Sequence, residues 1–100
     1  MSVHTFRAKI KPAKIAELEE AGEKMFAAIA AAQPEGVRYA WTKLDDGETY
    51  VFVVEFENDD NTPLLAVPAF KEVMATLKSE WISEPLVVER LTPVGSYRLF

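Results

Sequence analysis

Hydrophobic and polar positions alternate from Val3 to Ile10. His4, Phe6, Ala8 and Ile10 fall on one face, and Val3, Thr5, Arg7 and Lys9 on the other. A period of two predicts a half-buried strand. From Ala13 to Ala32 the period lengthens: Ile15, Leu18, Gly22, Met25, Ile29 and Ala32 recur at three- and four-residue steps, with Glu17, Glu19, Glu20, Glu23 and Lys24 between them. That spacing predicts an amphipathic helix lying on a sheet. Pro12 suits its first turn, and Gln33-Pro34-Glu35-Gly36 ends it. Gly22 stands inside the apolar stripe, where it costs about 1 kcal/mol against Ala. Close approach of the helix to the sheet is the expected compensation.

Val37 to Phe56 reads VRYAWTKLDDGETYVFVVEF, two runs of aromatic and β-branched residues around Asp45-Asp46-Gly47-Glu48. This composition predicts a β-hairpin with glycine at a positive-φ position. In its second strand Tyr50, Phe52, Val54 and Phe56 share one face, and Val51, Val53 and Glu55 the other. A polar loop, Asn58 to Pro63, offers Asn61 or Thr62 as a helix cap. A second helix runs from Leu64 to Trp81 with Phe70, Val73, Met74, Leu77 and Trp81 as its stripe. Pro68 predicts a short first turn, a kink and a restart. After Glu84-Pro85, Leu86 to Leu91 reads as a strand, and Ser96 to Phe100 as a last short one. The order β-α-β-β-α-β predicts an α+β, ferredoxin-like antiparallel sheet with two helices on one face.

The helices cover one face of such a sheet. The other carries Val51 and Val53 at its centre, flanked by Thr5, Arg7 and Glu55. Leaving two valines in water forfeits about 1.5–3 kcal/mol each. A homodimer packed through this face is therefore expected, with Arg7 and Glu55 close enough to pair across neighbouring strands.

Composition narrows the partners. One hundred residues, nearly half hydrophobic, make one domain (1–100) with a real core. The net charge is 11 − 16 = −5, which suits neither nucleic acid nor an anionic membrane. Without cysteine there is no disulfide, thiol catalysis or iron–sulfur site, and with a single histidine no transition-metal site is expected. No leader-like segment or spanning apolar run occurs, so the cytoplasm is the expected compartment.

Few residues offer chemistry. His4 shares the helix-side face with Phe6; it is either a proton shuttle or a strand-end histidine, hydrogen-bonded or solvated. Asp45, Asp46, Asp59 and Asp60 fit turns and loops. Tyr39, Trp41, Tyr50, Phe52, Phe70 and Trp81 either form core or line a pocket for a planar apolar ligand, with phenol and indole groups as polar handles. Tyr39 and Trp41 share a face of an edge strand. Phosphate-loop, dinucleotide, nucleophile-elbow and zinc-protease motifs are missing.

The hairpin, the two helices and the ending GSYRLF together resemble the dimeric α+β barrel superfamily, and more narrowly its antibiotic biosynthesis monooxygenase type. The resemblance spans the whole chain in size, element order and residue character. It implies a dimeric α/β barrel, two subunits joined sheet to sheet, with the C-terminal segment Ser96 to Phe100 reaching onto the partner. It also implies a ligand site between sheet and helices. Haem-degrading members pair a strand asparagine and a tryptophan with a histidine on the second helix. Leu64 to Trp81 has no histidine and the first strand no asparagine, so that chemistry is not expected here. The aromatic-polyketide oxygenases use tryptophan, asparagine, tyrosine and arginine, which Trp41, Tyr39 and Trp81 match in type. Three functions follow as expectations. One is a cofactor-independent oxygenase or isomerase with His4, Tyr39 and Trp41 as catalytic residues and Tyr50, Phe52, Phe70 and Trp81 as the pocket. The second is a non-catalytic binder of a small apolar ligand, and the third a structural homodimer.

Overall fold

The computed structural model describes residues 2–57 and 62–97. Strand β1 spans Ser2–Lys9, and a single 3₁₀ turn, Pro12–Lys14, leads into helix α1, Ile15–Ala32. The hairpin strands are β2, Val37–Lys43, and β3, Thr49–Phe56. Helices α2, Thr62–Leu65, and α3, Pro68–Thr76, follow. A π-helical turn, Leu77–Trp81, extends α3 before strand β4, Val87–Leu91. The sheet order is β2-β3-β1-β4 with antiparallel neighbours throughout. This is the ferredoxin-like α+β fold that the element order predicts.

Each boundary has a local cause. The α1 C-cap is Gln33 in the left-handed region (φ 49°), its N–H bonded to Ile29 O at 2.9 Å. Asp46 closes the hairpin: Oδ1 accepts from the N–H groups of Glu48 (2.9 Å) and Thr49 (2.8 Å), and Oδ2 from Thr49 Oγ1 (2.7 Å). These bonds, the Thr49 hydroxyl foremost, hold its carboxyl down at about 2. Gly47 supplies the positive φ, 75°. The second helix divides where proline requires it. Val67 is extended (φ −92°, ψ 109°), because a residue preceding proline is driven out of the helical region, and α3 restarts on Pro68.

Parity along the strands sets two layers. Phe6, Ala8, Tyr50 and Phe52 face the helices and pack with Leu18 and Met25 of α1, Val73 of α3 and Leu77 and Trp81 of the π turn, while Val54 and Phe56 pack with Leu64 of α2. The opposite face bears Ala40, Val51, Val53, Val3, Val87 and Leu91 in adjoining register positions. Val87 and Leu91 are 49% and 43% exposed there.

Two expectations are corrected. Arg7 lies opposite Val51, whereas Glu55 lies opposite Val3 and Arg38. Four residues of strand, about 13 Å at the strand rise, separate Arg7 from Glu55, so they do not pair. Ser96 and Tyr97 belong to no strand. The remainder of the expected last strand, 98–100, lies outside the described residues, as does Asn61.

Candidate functional site

A cavity of about 470 Å³ opens between the sheet and the α2–α3 layer. Its floor is His4 and Phe6 of β1, Tyr39 of β2 and Phe52, Val54 and Phe56 of β3. Its roof is Leu64 and Leu65 of α2, Phe70 and Met74 of α3, and Leu77 and Lys78 of the π turn, with Leu86 at the side. Phe70 and Met74 are half-buried while Val73 and Leu77 of the same stripe are buried. The difference is the cavity, which takes the place of a packing partner for the Phe70–Met74 side.

The gap between the layers is closed at the other end. Gly22 sets α1 directly on the Trp41 indole: a Cβ added there would meet Trp41 Cε3 at 2.9 Å and Cζ3 closer still. Phe52 stacks on the indole (centroids 4.4 Å, 21°), and Phe26 meets it edge-on at 5.7 Å. The expectation that Gly22 allows close approach of helix to sheet is met, and its consequence is to half-bury Trp41 against α1, beside a shallow groove that it lines with Tyr50.

Trp41 Nε1–H donates to the Tyr39 hydroxyl oxygen at 2.8 Å. Phe26 and Phe70 flank the phenol at 5.3 and 5.8 Å. Burial pushes its pKa up to about 12, against the opposing influence of the indole N–H. Tyr39 is therefore a neutral phenol near neutral pH. With its oxygen already accepting from Trp41, its own proton has no acceptor among the described residues. The His4 ring lies 6.0 Å from that of Phe56 on the cavity floor.

Of the residues expected to act or to line a pocket, His4, Tyr39, Phe52 and Phe70 meet at this cavity. Trp41, Tyr50 and Trp81 do not line it. Trp41 supports Tyr39 from behind. Tyr50 donates its hydroxyl to the Glu19 carboxylate, which also receives Lys43 Nζ at 2.9 Å. Burial and then the neighbouring carboxylate push the Tyr50 phenol upward, while Tyr50 and Lys43 hold Glu19 down. Trp81 donates its indole N–H to Glu17. Helix α1 places both glutamates over these aromatics, so their polar atoms are satisfied within the fold. Lys78 was not singled out from the sequence. Its signal was spacing: it follows Phe70 and Met74 at four-residue steps and so prolongs the apolar stripe as a cation.

Among the described residues no group of three or more His, Asp or Glu side chains is placed to hold a metal ion. Nor is any helix long and apolar enough to cross a membrane. No family model and no curated protein matches the sequence. Solved structures do. The architecture is that of a structurally related group that includes antibiotic biosynthesis monooxygenases. An antibiotic biosynthesis monooxygenase superposes with a TM-score of 0.73 at 16% identity, over 95% of this chain and 100% of that one. SnoaB, a cofactor-independent oxygenase from Streptomyces nogalater, gives 0.68 at 19% identity, over 97% and 96%. Rv0793 from Mycobacterium tuberculosis gives 0.69 at 19%, over 95% and 96%. At these identities the likeness establishes a shared fold.

Proposed function

We propose that the protein binds a planar, largely apolar small molecule in the sheet–helix cavity and transforms it without a cofactor, as an oxygenase or isomerase. The carrying observation is that His4 and Tyr39 line one apolar cavity of ligand size, the Tyr39 hydroxyl having no acceptor for its proton among the described residues. His4 takes a proton from a carbon made acidic by an adjacent carbonyl, and Tyr39 donates to the carbonyl oxygen as it becomes an enolate. Return of the proton at another carbon gives isomerisation. In the oxygenase case the enolate reduces dioxygen; one oxygen atom ends in a new carbonyl and the other in water. SnoaB, named a cofactor-independent oxygenase, supports the reading by its fold.

Dioxygen uptake with an anthrone-type substrate tests it. His4→Ala should lower the rate by about a hundredfold or more, the usual weight of a general base, with anthrone still bound. Wild-type protein that binds no anthrone would remove the proposal. A second reading, binding without turnover, is favoured by one feature: among the described residues no carboxylate lines the cavity to orient the His4 ring. Tight binding with no uptake in the wild type would select it.

The half-exposed Val51 and Val53, flanked by the exposed Val87 and Leu91, support a homodimer formed sheet to sheet through this face. Sedimentation at micromolar concentration should give a dimer that Val53→Lys dissociates. A monomeric wild type would refute this assembly.

A further inference from the structure

We propose that Lys78 makes this cavity selective for ligands carrying an anionic group, a carboxylate, sulfonate or ionised phenol, seated at the α3 end. The proposal rests on the reading of the cavity as the ligand site and specifies the ligand's chemistry.

Lys78 is the one fully charged side chain in a wall otherwise made of aliphatic and aromatic residues, His4 and the neutral Tyr39. It is also uncommitted. Lys9, Lys14, Lys24 and Lys43 each lie within 4 Å of a glutamate, at 3.8, 3.9, 3.4 and 2.9 Å. Among the described residues no carboxylate lies that close to Lys78. Lys11 and Lys71 also have no ion pair among the described residues, but neither lines this cavity.

The backbone accounts for the placement. At Leu77 the helix widens to a π turn, with Ile82 N–H bonding Leu77 O at 3.3 Å. Such turns are rare and cluster at functional sites. Here Leu77 and Trp81 stay buried while Lys78, four residues after Met74, remains on the cavity side. Lys78 is exposed, so its ammonium stands at the cavity mouth, where a charge-assisted hydrogen bond is stronger than a neutral one though partly screened by solvent. A planar anion entering from solvent would therefore place its rings against Phe52 and Phe70 and its charge on Lys78. The same geometry disfavours cationic ligands.

Two fluorescent probes share one ring scaffold and differ by the charge: 8-anilinonaphthalene-1-sulfonate and neutral N-phenyl-1-naphthylamine. Lys78→Met should weaken the sulfonate up to about fivefold, the range of an exposed charged contact, and leave the neutral probe unchanged. Lys78→Arg should restore the sulfonate. Met74→Trp, which fills the cavity, should weaken both. If Lys78→Met leaves both probes unchanged while Met74→Trp displaces them, the role of Lys78 is overturned and the cavity reading stands. If neither probe binds, or Met74→Trp displaces neither, the cavity reading itself falls.

Discussion

Gly22→Ala sets two opposed effects against each other. In an exposed helix the change would stabilise the protein by about 1 kcal/mol, because alanine is the better helix former. In this fold the new methyl meets the Trp41 indole at 2.9 Å from Cε3, inside any tolerable contact. The indole has little room to yield, with Phe52 stacked at 4.4 Å on it and Phe26 at its edge. Overpacking of this kind costs about 1–3 kcal/mol. Tilting the ring also strains the 2.8 Å bond to Tyr39, worth about 0.5–1.5 kcal/mol. The overpacking side wins, and the net expectation is a loss of about 2 kcal/mol. In a domain of this size that lowers Tm by roughly 8–16 °C. Urea unfolding of four variants, wild type, Gly22→Ala, Trp41→Leu and the double, isolates the contact. With the indole gone, alanine at 22 should recover its propensity advantage and stabilise. A Gly22→Ala protein as stable as wild type, or additive costs in the double, would refute the reasoning.

Alkaline pH tests Tyr39. Its folded pKa, about 12, exceeds the ordinary value of 10. The stabilisation is thus complete below pH 10 and is lost as pH rises toward 12, because the unfolded chain releases its proton first. The unfolding free energy from urea titration should fall over that window by up to about 1.4 kcal/mol per pH unit for this group, and Tyr39→Phe should flatten the slope. An unchanged slope would place the phenol in a more polar setting. Asp46 works in the opposite sense: with its pKa lowered to about 2, its contribution is present above about pH 4, its ordinary range, and fades as pH falls toward 2. Asp46→Ala should therefore destabilise at pH 7 and cease to differ from wild type near pH 2. A gap that persists at pH 2 would mean the carboxylate charge is not what holds the turn.

Periodicity made the elements and their faces legible, because burial on one side imposes a period of two or 3.6 on the chain. Val67 and Pro68 likewise made the break in the second helix legible, through a steric rule acting on neighbouring residues. Position along a face was not legible. Parity put Arg7 and Glu55 on one side, but the hairpin closure at Asp46 and the β1–β3 register decide that they sit four residues apart. Parity also put Tyr39 and Trp41 together, and Gly22 of α1 then covers one of them. Nor does a local pattern announce a π turn, since it depends on where Leu77 and Trp81 find their places in the core. Lys78 escaped notice for that reason.

The polar groups of the helix-side layer sort by which end of it they occupy. At the α1 end each large polar side chain is used within the fold: Trp41 donates to Tyr39, Tyr50 to Glu19 and Trp81 to Glu17. At the α3 end, around the cavity, the Tyr39 proton and the Lys78 ammonium are uncommitted among the described residues. Tyr39 is half-buried and Lys78 exposed, so only the phenol has a desolvation cost to offset, up to about 1–3 kcal/mol for a fully buried unpaired donor. Free donors on an apolar wall are what a ligand with a carbonyl and a negative charge would complete. Tyr39 marks the boundary: it lines the cavity, and its oxygen accepts from the Trp41 indole at the other end. The indole of Trp41, though absent from the cavity wall, thereby holds in place a phenol that belongs to it.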